Sequence, residues 1–359
     1  MVTADIRYFL GANSPDGFYS LYDQMIDPDR ARRIYILKGG PGCGKSTLMR
    51  RVAARAEELG QETEYIHCSG DPDSLDAVVL PGLGVAVADG TAPHVLEPRY
   101  PGAVERYVNL GECCRSQGLD DMRPAIIEAT KRYKAGYANA YRCLAAAGKV
   151  REELRCTLTM PEMEERLERR AKGILSREVH RRREAAPGRV SKRFLGAVTH
   201  RGRVRFYGTA EAQCSRIYEL ADRYALAHSL LLPLLEGTVR AGYDVVACPD
   251  PMAPERLAHL IVPELELGFI STVPALPFKG KPDRRIRIEG AVEPQLLREA
   301  RARVRFAQKT ADALTDEGIC HLARTKARHD ELEALYRPYV DFDRVRQTAD
   351  SIVTEIFEG

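Results

Sequence analysis

Residues 33–60 read RIYILKGGPGCGKSTLMRRVAARAEELG, and this stretch decides the fold. An apolar run at residues 34–37 enters a glycine-rich turn with the spacing G-x-x-x-x-G-K-S. Gly60 stands where a helix would end, and the apolar residues before it recur at helical spacing, namely Leu48, Val52, Ala56 and Leu59. The stretch therefore predicts a strand, a phosphate-binding loop and a helix.

The residue types in this turn suit a triphosphate. A loop that wraps phosphate with its backbone needs N–H groups that point inward and no Cβ atoms in the way. We expect Lys45 to reach the β- and γ-phosphates and Ser46 to ligate Mg²⁺. The predicted nucleotide contacts are Gly39, Gly40, Pro41, Gly42, Cys43, Gly44, Lys45, Ser46 and Thr47. A glycine-rich turn that only joins strand to helix is the alternative.

Three acids complete the candidate site. Asp89 ends a predicted apolar strand at residues 84–89, the pattern by which phosphate-binding loops gain a second Mg²⁺ ligand, although Asp89-Gly90 could simply form a turn. The following glycine replaces a glutamate common in hydrolytic enzymes, which argues for slow hydrolysis. Asp71 and Asp73 follow the predicted strand at residues 62–67, where they could orient an acceptor hydroxyl. Lys45, Asp89, Asp71 and Asp73 are thus the catalytic candidates.

Length and composition indicate a two-domain protein of the cytoplasm. The chain has 359 residues, no apolar run of about 18 residues and no N-terminal signal pattern, so we expect no membrane segment. The nine cysteines are scattered, which favours free thiols. His67, Cys68 and His94 could ligate a metal, but they lack paired C-x-x-C spacing, and packing at a strand end is the favoured interpretation.

Positive charge is concentrated between residues 181 and 205. Nine Lys or Arg residues stand there against one acid, Glu184, although the net charge of the chain is only +3. Aromatic residues do not interleave with this basic run, so a solvated face between domains is favoured over nucleic-acid binding. Residues 180–193 are the candidate linker.

The second half of the sequence repeats the first. Residues 194–197 (FLGA) restate residues 9–12, and residues 216–220 restate residues 33–37 at an offset of 183. The repeat predicts an α/β fold with two tandem three-layer domains, residues 1–187 and 188–359, each with a parallel sheet and a helical tail.

The repeat has lost the residues that would bind phosphate. It places Asp222 opposite Gly39, His228 opposite Lys45, and Ser271 opposite Asp89. Loss of the glycines, the lysine and the acid indicates that the second half binds no nucleotide–Mg²⁺ complex, and Asp222 is expected to repel phosphate.

The sequence resembles a family of largely uncharacterised bacterial tandem P-loop NTPases, usually labelled ATPases. The resemblance is carried by residues 39–47, 71–76 and 89–94. The resemblance covers nearly the whole chain. It implies two P-loop domains in one polypeptide and ATP as the ligand. Residues 222–230 depart from the family pattern, since a working loop would need Gly, Lys and Ser or Thr there.

Three functions remain open. The first is an ATP-binding protein with slow Mg²⁺-dependent hydrolysis at one site, in which the degenerate half packs on the active half as a fixed dimer partner. The second is a small-molecule or nucleotide kinase. The third is a nucleic-acid-associated ATPase that uses the basic run, from which one arginine could also approach the γ-phosphate. No N-K-x-D segment that would read guanine follows the third strand.

Overall fold

The computed structural model describes residues 5–182 and 186–358. Within these residues the first half contains eight strands and three long helices. In chain order these are β1 (Ile6–Phe9), β2 (Gly11–Ser14), β3 (Gly17–Ser20), β4 (Arg33–Lys38), α1 (Lys45–Glu58), β5 (Glu64–His67), β6 (Leu75–Leu80), β7 (Val85–Asp89), β8 (Glu105–Asn109), α2 (Ser116–Leu158) and α3 (Pro161–Glu178).

The second half repeats this order of elements and adds two short helices. Its elements are β9 (Val190–Lys192), β10 (Gly196–Thr199), β11 (Gly202–Arg205), α4 (Tyr207–Gln213), β12 (Arg216–Ala221), α5 (His228–Arg240), β13 (Val245–Asp250), β14 (Ala253–Val262), β15 (Leu267–Thr272), β16 (Arg284–Arg287), α6 (Pro294–Glu299), α7 (Arg301–Tyr336) and α8 (Phe342–Phe357).

Each half forms one six-stranded sheet with the same strand order. The first sheet runs β1-β5-β6-β7-β4-β8, and the second runs β9-β13-β14-β15-β12-β16. The registers also agree, because Leu37 pairs with Asp89 in the first sheet and Leu220 pairs with Ser271 in the second. Two similar halves are therefore present, as the repeat predicts.

The prediction of parallel sheets is wrong, because both sheets are mixed. β6 runs antiparallel to β5 and to β7, and β14 runs antiparallel to β13 and to β15. The physical reason is the short connection on each side of β6, which allows only an antiparallel return. All six residues of β6 are buried.

The long helices α1, α3, α5 and α8 lie on the outer faces of the two sheets, and the short α4 packs on the inner side against β1 and β15. The outer face of the first sheet packs Tyr35 and Leu37 against α1 and α8. The opposite face contributes Ile34 and Ile36 to a core that also contains Ile217, Ile270 and other residues of the second half. Since side chains alternate along a strand, each sheet turns its inner face toward a core shared by the two halves.

The last helix of each half packs on the other half. α3 packs against α5, α8 packs against α1, and the long helices α2 and α7 lie along each other. The backbones of Phe9 and Phe194 exchange two hydrogen bonds of 2.9 Å between the halves. The division into residues 1–187 and 188–359 follows the repeat of strands, and the exchanged helices α3 and α8 pack across it.

Candidate functional site

The glycine-rich loop joins β4 to α1, as the sequence predicts. Gly42 and Gly44 have φ angles of +71° and +82°, in the left-handed region that disfavours residues with a Cβ atom. Gly44 is the residue before the first turn of α1, and no side chain caps that turn. The first N–H groups of a helix have no partner within the helix, so this loop presents backbone donors and a positive helix end.

The structure brings Lys45 and Asp89 together beside this loop. Lys45 Nζ donates hydrogen bonds to the carbonyl oxygens of Gly39 (2.8 Å) and Gly40 (2.9 Å). It also lies 3.5 Å from Asp89 Oδ2, and both side chains are mostly buried. The parallel pairing of β4 and β7 causes this meeting, because it sets the end of β7 beside the start of the loop.

Ser46 and Asp89 each have a second partner. Ser46 Oγ accepts a hydrogen bond of 3.0 Å from the N–H of Leu75, which starts β6. Asp89 Oδ1 accepts hydrogen bonds from the N–H (2.8 Å) and the hydroxyl (2.6 Å) of Thr91. One oxygen of Asp89 thus forms the turn considered for it, and the other faces Lys45.

Cys43 occupies the loop without presenting its thiol to it. Its side chain is buried in the outer core, with Sγ 3.4 Å from Cys114 Sγ. Burial raises the pKa of the Cys43 thiol to about 12. Cys43 can thus contribute only its backbone to a ligand. Thr47 is exposed, whereas Pro41 is half-buried and has no N–H to donate.

Asp71 and Asp73 are held by cations of the second half. Asp71 Oδ2 lies 3.2 Å from Lys326 Nζ on α7. Asp73 Oδ1 accepts a 2.8 Å hydrogen bond from Arg201, in the turn between β10 and β11. Among the described residues, the contacts of these two acids join the halves, and none of them reaches Lys45 or Asp89.

The end of α7 lies against the glycine-rich loop, which the sequence did not reveal. A Cβ atom on Gly40 would lie 3.4 Å from the Tyr336 ring, and one on Gly42 would lie 3.5 Å from Glu333 Cβ. Glu333 also groups with His329 and Asp330, their ligand atoms lying within 4.8 Å of one another. Nothing in the local sequence of α7 could have indicated this, because the contact depends on how the halves pack.

The corresponding loop of the second half is closed by its own carboxylate. Asp222 accepts hydrogen bonds from the N–H groups of Leu226 (2.8 Å, to Oδ1) and Ala227 (2.7 Å, to Oδ2). Burial raises the pKa of Asp222 to about 6. We expected Asp222 to repel phosphate. The geometry adds that its carboxylate occupies two backbone donors of the loop just before α5.

His228 takes a structural role at the position of Lys45. Its Nδ1 accepts a 3.0 Å hydrogen bond from the N–H of Leu257 in β14. Burial, with a smaller effect from Arg256, lowers the pKa of His228 to about 4. The imidazole is therefore neutral at pH 7 and cannot replace the charge of a lysine.

A second polar cluster lies at the start of β6. Cys68, Asp76 and His94 place their ligand atoms within 4.8 Å of one another. Asp76 accepts a 2.7 Å hydrogen bond from the Tyr22 hydroxyl, and His94 Nε2 lies 3.4 Å from Asp76 Oδ2. Of the residues considered as metal ligands, His67 lies outside the cluster and bonds the carbonyl of Pro72. Asp76, which the sequence did not single out, is at its centre.

The basic run mainly joins parts of the protein to each other. Residues 183–185 of this run lie outside the described residues. Arg193 is buried, 3.2 Å from Glu64 Oε2, and it donates to the carbonyls of Gln24 and Met25. Others form ion pairs with acids: Arg182 with Glu264, Arg189 with Asp244, and Arg203 with both Asp312 and Asp316. The described contacts favour a role between elements and place none of these arginines on the glycine-rich loop.

A scan against protein-family models, a search of curated proteins and a search of solved structures each returned no match. In the two described ranges no helix is long and apolar enough to cross a membrane.

Proposed function

We propose that the first half binds ATP with Mg²⁺ and hydrolyses it slowly, while the second half serves as a fixed partner without a nucleotide site. One observation carries the proposal. The glycine-rich loop of the first half has Lys45 and Asp89 beside it, whereas in the matching loop of the second half Asp222 accepts the N–H groups of Leu226 and Ala227.

The residues present fit this ligand. Two glycines with positive φ shape a cradle of backbone donors, and a lysine, a serine hydroxyl and a carboxylate stand around it. Lys45 is held at the mouth of the loop by two carbonyl oxygens, from which its ammonium can turn to phosphate oxygens. Ser46 Oγ and Asp89 Oδ2 would hold Mg²⁺, directly or through water. Bound Mg²⁺ would supply positive charge between the β- and γ-phosphates.

Slow hydrolysis follows from the groups around the loop. Gly90, not a glutamate, follows Asp89, so β7 supplies no base there. Besides Asp89, an acidic residue of the other half lies against the loop, since the Cβ and backbone of Glu333 in α7 contact it. The kinase alternative gains no support, because Lys326 and Arg201 neutralise the two acids proposed to orient an acceptor.

The two halves would then act as an intramolecular pseudo-dimer. The exchanged helices, the buried Arg193 and the contact of α7 with the loop support this proposal. All nine cysteines are free, as is usual in reducing compartments, and on that ground we propose the cytoplasm as the location.

Titration calorimetry with ATP and Mg²⁺ tests the proposal. We expect one nucleotide per chain. Lys45→Ala should lower the affinity by at least about tenfold, because a charge-assisted contact to phosphate contributes roughly 1.5 to 3 kcal/mol. His228→Ala is the matched control and should leave the affinity unchanged. Two equivalent sites, or a large loss in the His228 variant, would contradict the assignment.

Product analysis separates the reactions. Release of free phosphate without any acceptor supports hydrolysis, and ADP release that requires an added acceptor supports a kinase instead.

A further inference from the structure

A small cavity lies in the second half where the first half places its candidate nucleotide site. Its polar lining residues are Arg155, Arg205, Arg256, Asp222, Asp250 and Ser271. Ser271 pairs with the end of β12 as Asp89 pairs with the end of β4, and Asp222 closes the loop that corresponds to the glycine-rich loop. The cavity is thus the remodelled counterpart of that site.

Three arginines from different elements meet at this cavity. Arg155 comes from α2 and is buried, Arg205 ends β11, and Arg256 lies on β14. Within residues 5–182 and 186–358 none of the three forms an ion pair with a carboxylate, and Nη1 of Arg205 lies 2.6 Å from Nε2 of His259. Their neighbours Arg151 and Arg203, in contrast, both reach Asp312.

Two buried polar atoms at the cavity have no hydrogen-bond partner among the described residues. They are Nε of Arg256 and Oγ of Ser271. A buried donor left without a partner costs about 1–3 kcal/mol, and a charged one costs more. These atoms therefore indicate a missing acceptor.

The acids of the lining do not supply that acceptor. Both oxygens of Asp222 are used by backbone N–H groups, and Asp250 Oδ1 accepts the N–H of Met252. Burial lowers the pKa of Arg256, and the positive charge of Arg155 lowers it further. The cavity holds more positive than negative charge, and an anion would relieve this repulsion.

The size of the cavity limits the anion. Its volume is about 40 Å³. Since one water needs roughly 10–15 Å³ on this measure, the space suits three or four oxygen atoms. That is the size of one tetrahedral oxyanion, a group that guanidinium forks bind in a bidentate manner.

We propose that the second half contains a metal-independent oxyanion site, formed by Arg155, Arg205, Arg256 and Ser271, which takes a free phosphate-like ion or the phosphoryl group of a small molecule. Serine in place of Asp89 and a neutral histidine in place of Lys45 remove the residues for a nucleotide–Mg²⁺ complex, while arginines supply the charge. Arg155 belongs to the first half, so the ligand would bind between the halves. This site does not depend on ATP binding at the first loop.

Calorimetric titration of the full chain with sulfate tests the proposal, because sulfate keeps its charge across the working pH range. The titration uses the Lys45→Ala background, which weakens anion binding at the first loop. We expect saturable binding of one sulfate per chain without added metal. Arg256→Gln should lower the affinity at least about tenfold, as expected for a lost charge-assisted contact.

Two further variants keep the test decisive. Arg155→Gln should give the same loss if Arg256→Gln does not fold. Arg240→Gln is the matched control, because Arg240 lies on exposed α5 surface with Glu236 as its neighbour, and it should bind sulfate like the background protein. Absence of saturable binding, or equal affinity in all three variants, overturns the proposal.

AMP and inorganic phosphate identify the source of the oxyanion. If AMP binds more than tenfold tighter than phosphate, and Arg256→Gln abolishes this binding, the result supports a phosphorylated small molecule as the ligand. If AMP and phosphate bind with similar affinities, and Arg256→Gln abolishes both, the result supports the free ion as the ligand. Affinities that Arg256→Gln leaves unchanged count against the site.

Discussion

Asp89 divides its two oxygens between the turn that follows β7 and the ammonium of Lys45. If Asp89 also helps to hold Mg²⁺, Asp89→Asn removes charge that the metal needs and keeps the turn, because the amide oxygen can still accept from Thr91. We expect ATP affinity to fall about tenfold or more with Mg²⁺, which corresponds to a loss of about 1.4 kcal/mol of binding free energy. In EDTA the affinity should change little.

The same titration on Thr91→Val is the control for the turn, since this variant removes the hydroxyl contact and leaves the carboxylate. An equal loss of affinity for Asp89→Asn with and without Mg²⁺ would contradict the metal role.

Asp222 makes stability depend on pH. Burial raises its pKa from the ordinary value of 3.8 to about 6, so the folded state holds a proton that the unfolded state releases between these values. The protonated carboxyl group therefore adds up to about 3 kcal/mol to the free energy of unfolding at acid pH. This contribution is lost as pH rises through about 6.

Urea unfolding of the wild type and of Asp222→Asn at pH values of about 4.5, 6 and 7.5 measures this effect. The buffers contain neither phosphate nor sulfate. The wild type should lose stability relative to the variant as pH rises, and a constant difference would contradict the raised pKa.

At the scale of elements, α2 and α7 approach closely at a glycine. A Cβ atom on Gly136 of α2 would lie 2.3 Å from Oγ1 of Thr325, a buried side chain on α7. Gly136→Ala should therefore destabilise the protein by about 1–3 kcal/mol through overpacking.

Gly173→Ala in α3 is the matched control. There the new methyl group would lie 3.7 Å from the end of Arg177, which can move. Alanine should stabilise that helix by up to about 1 kcal/mol. Thermal unfolding distinguishes the two, and equal shifts of Tm would show that the helices do not pack as described.

Some secondary-structure elements could be predicted from the sequence, and others could not. The glycine-rich loop and α1 were predictable, since an apolar strand, glycines at fixed spacing and helical periodicity are all local. β6 was not recognised, because a short buried strand carries a continuous apolar run that periodicity cannot separate from other structures. The antiparallel pairing of the first sheet depends on β6, and that of the second sheet depends on β14.

At the scale of the whole molecule, each half is completed by a helix of the other. Ile352 of α8 is buried in the outer core of the first half, and Ile174 of α3 is buried in the outer core of the second. Ile→Ala at either position should cost about 2–5 kcal/mol through loss of contacts and a cavity.

Hydrogen exchange shows which strands each substitution destabilises. Ile352→Ala should reduce protection most in β4 and β7, although Ile352 belongs to the end of the chain, and Ile174→Ala should do so in β12 and β15. If each variant instead affected the half that contains it in sequence, the exchange of helices would be wrong.

The sequence by itself determined the glycine-rich loop, the helix that follows it and the duplication, because these depend on neighbouring residues and on a repeat at a constant offset. It also indicated that the second half lacks the lysine and the acid of the first. Only the tertiary structure decided what takes their place: Asp222 on the backbone donors, three arginines at a cavity, and α7 against the first loop. The physical reason is that these groups come from elements far apart in the chain, and packing of the two halves alone brings them together.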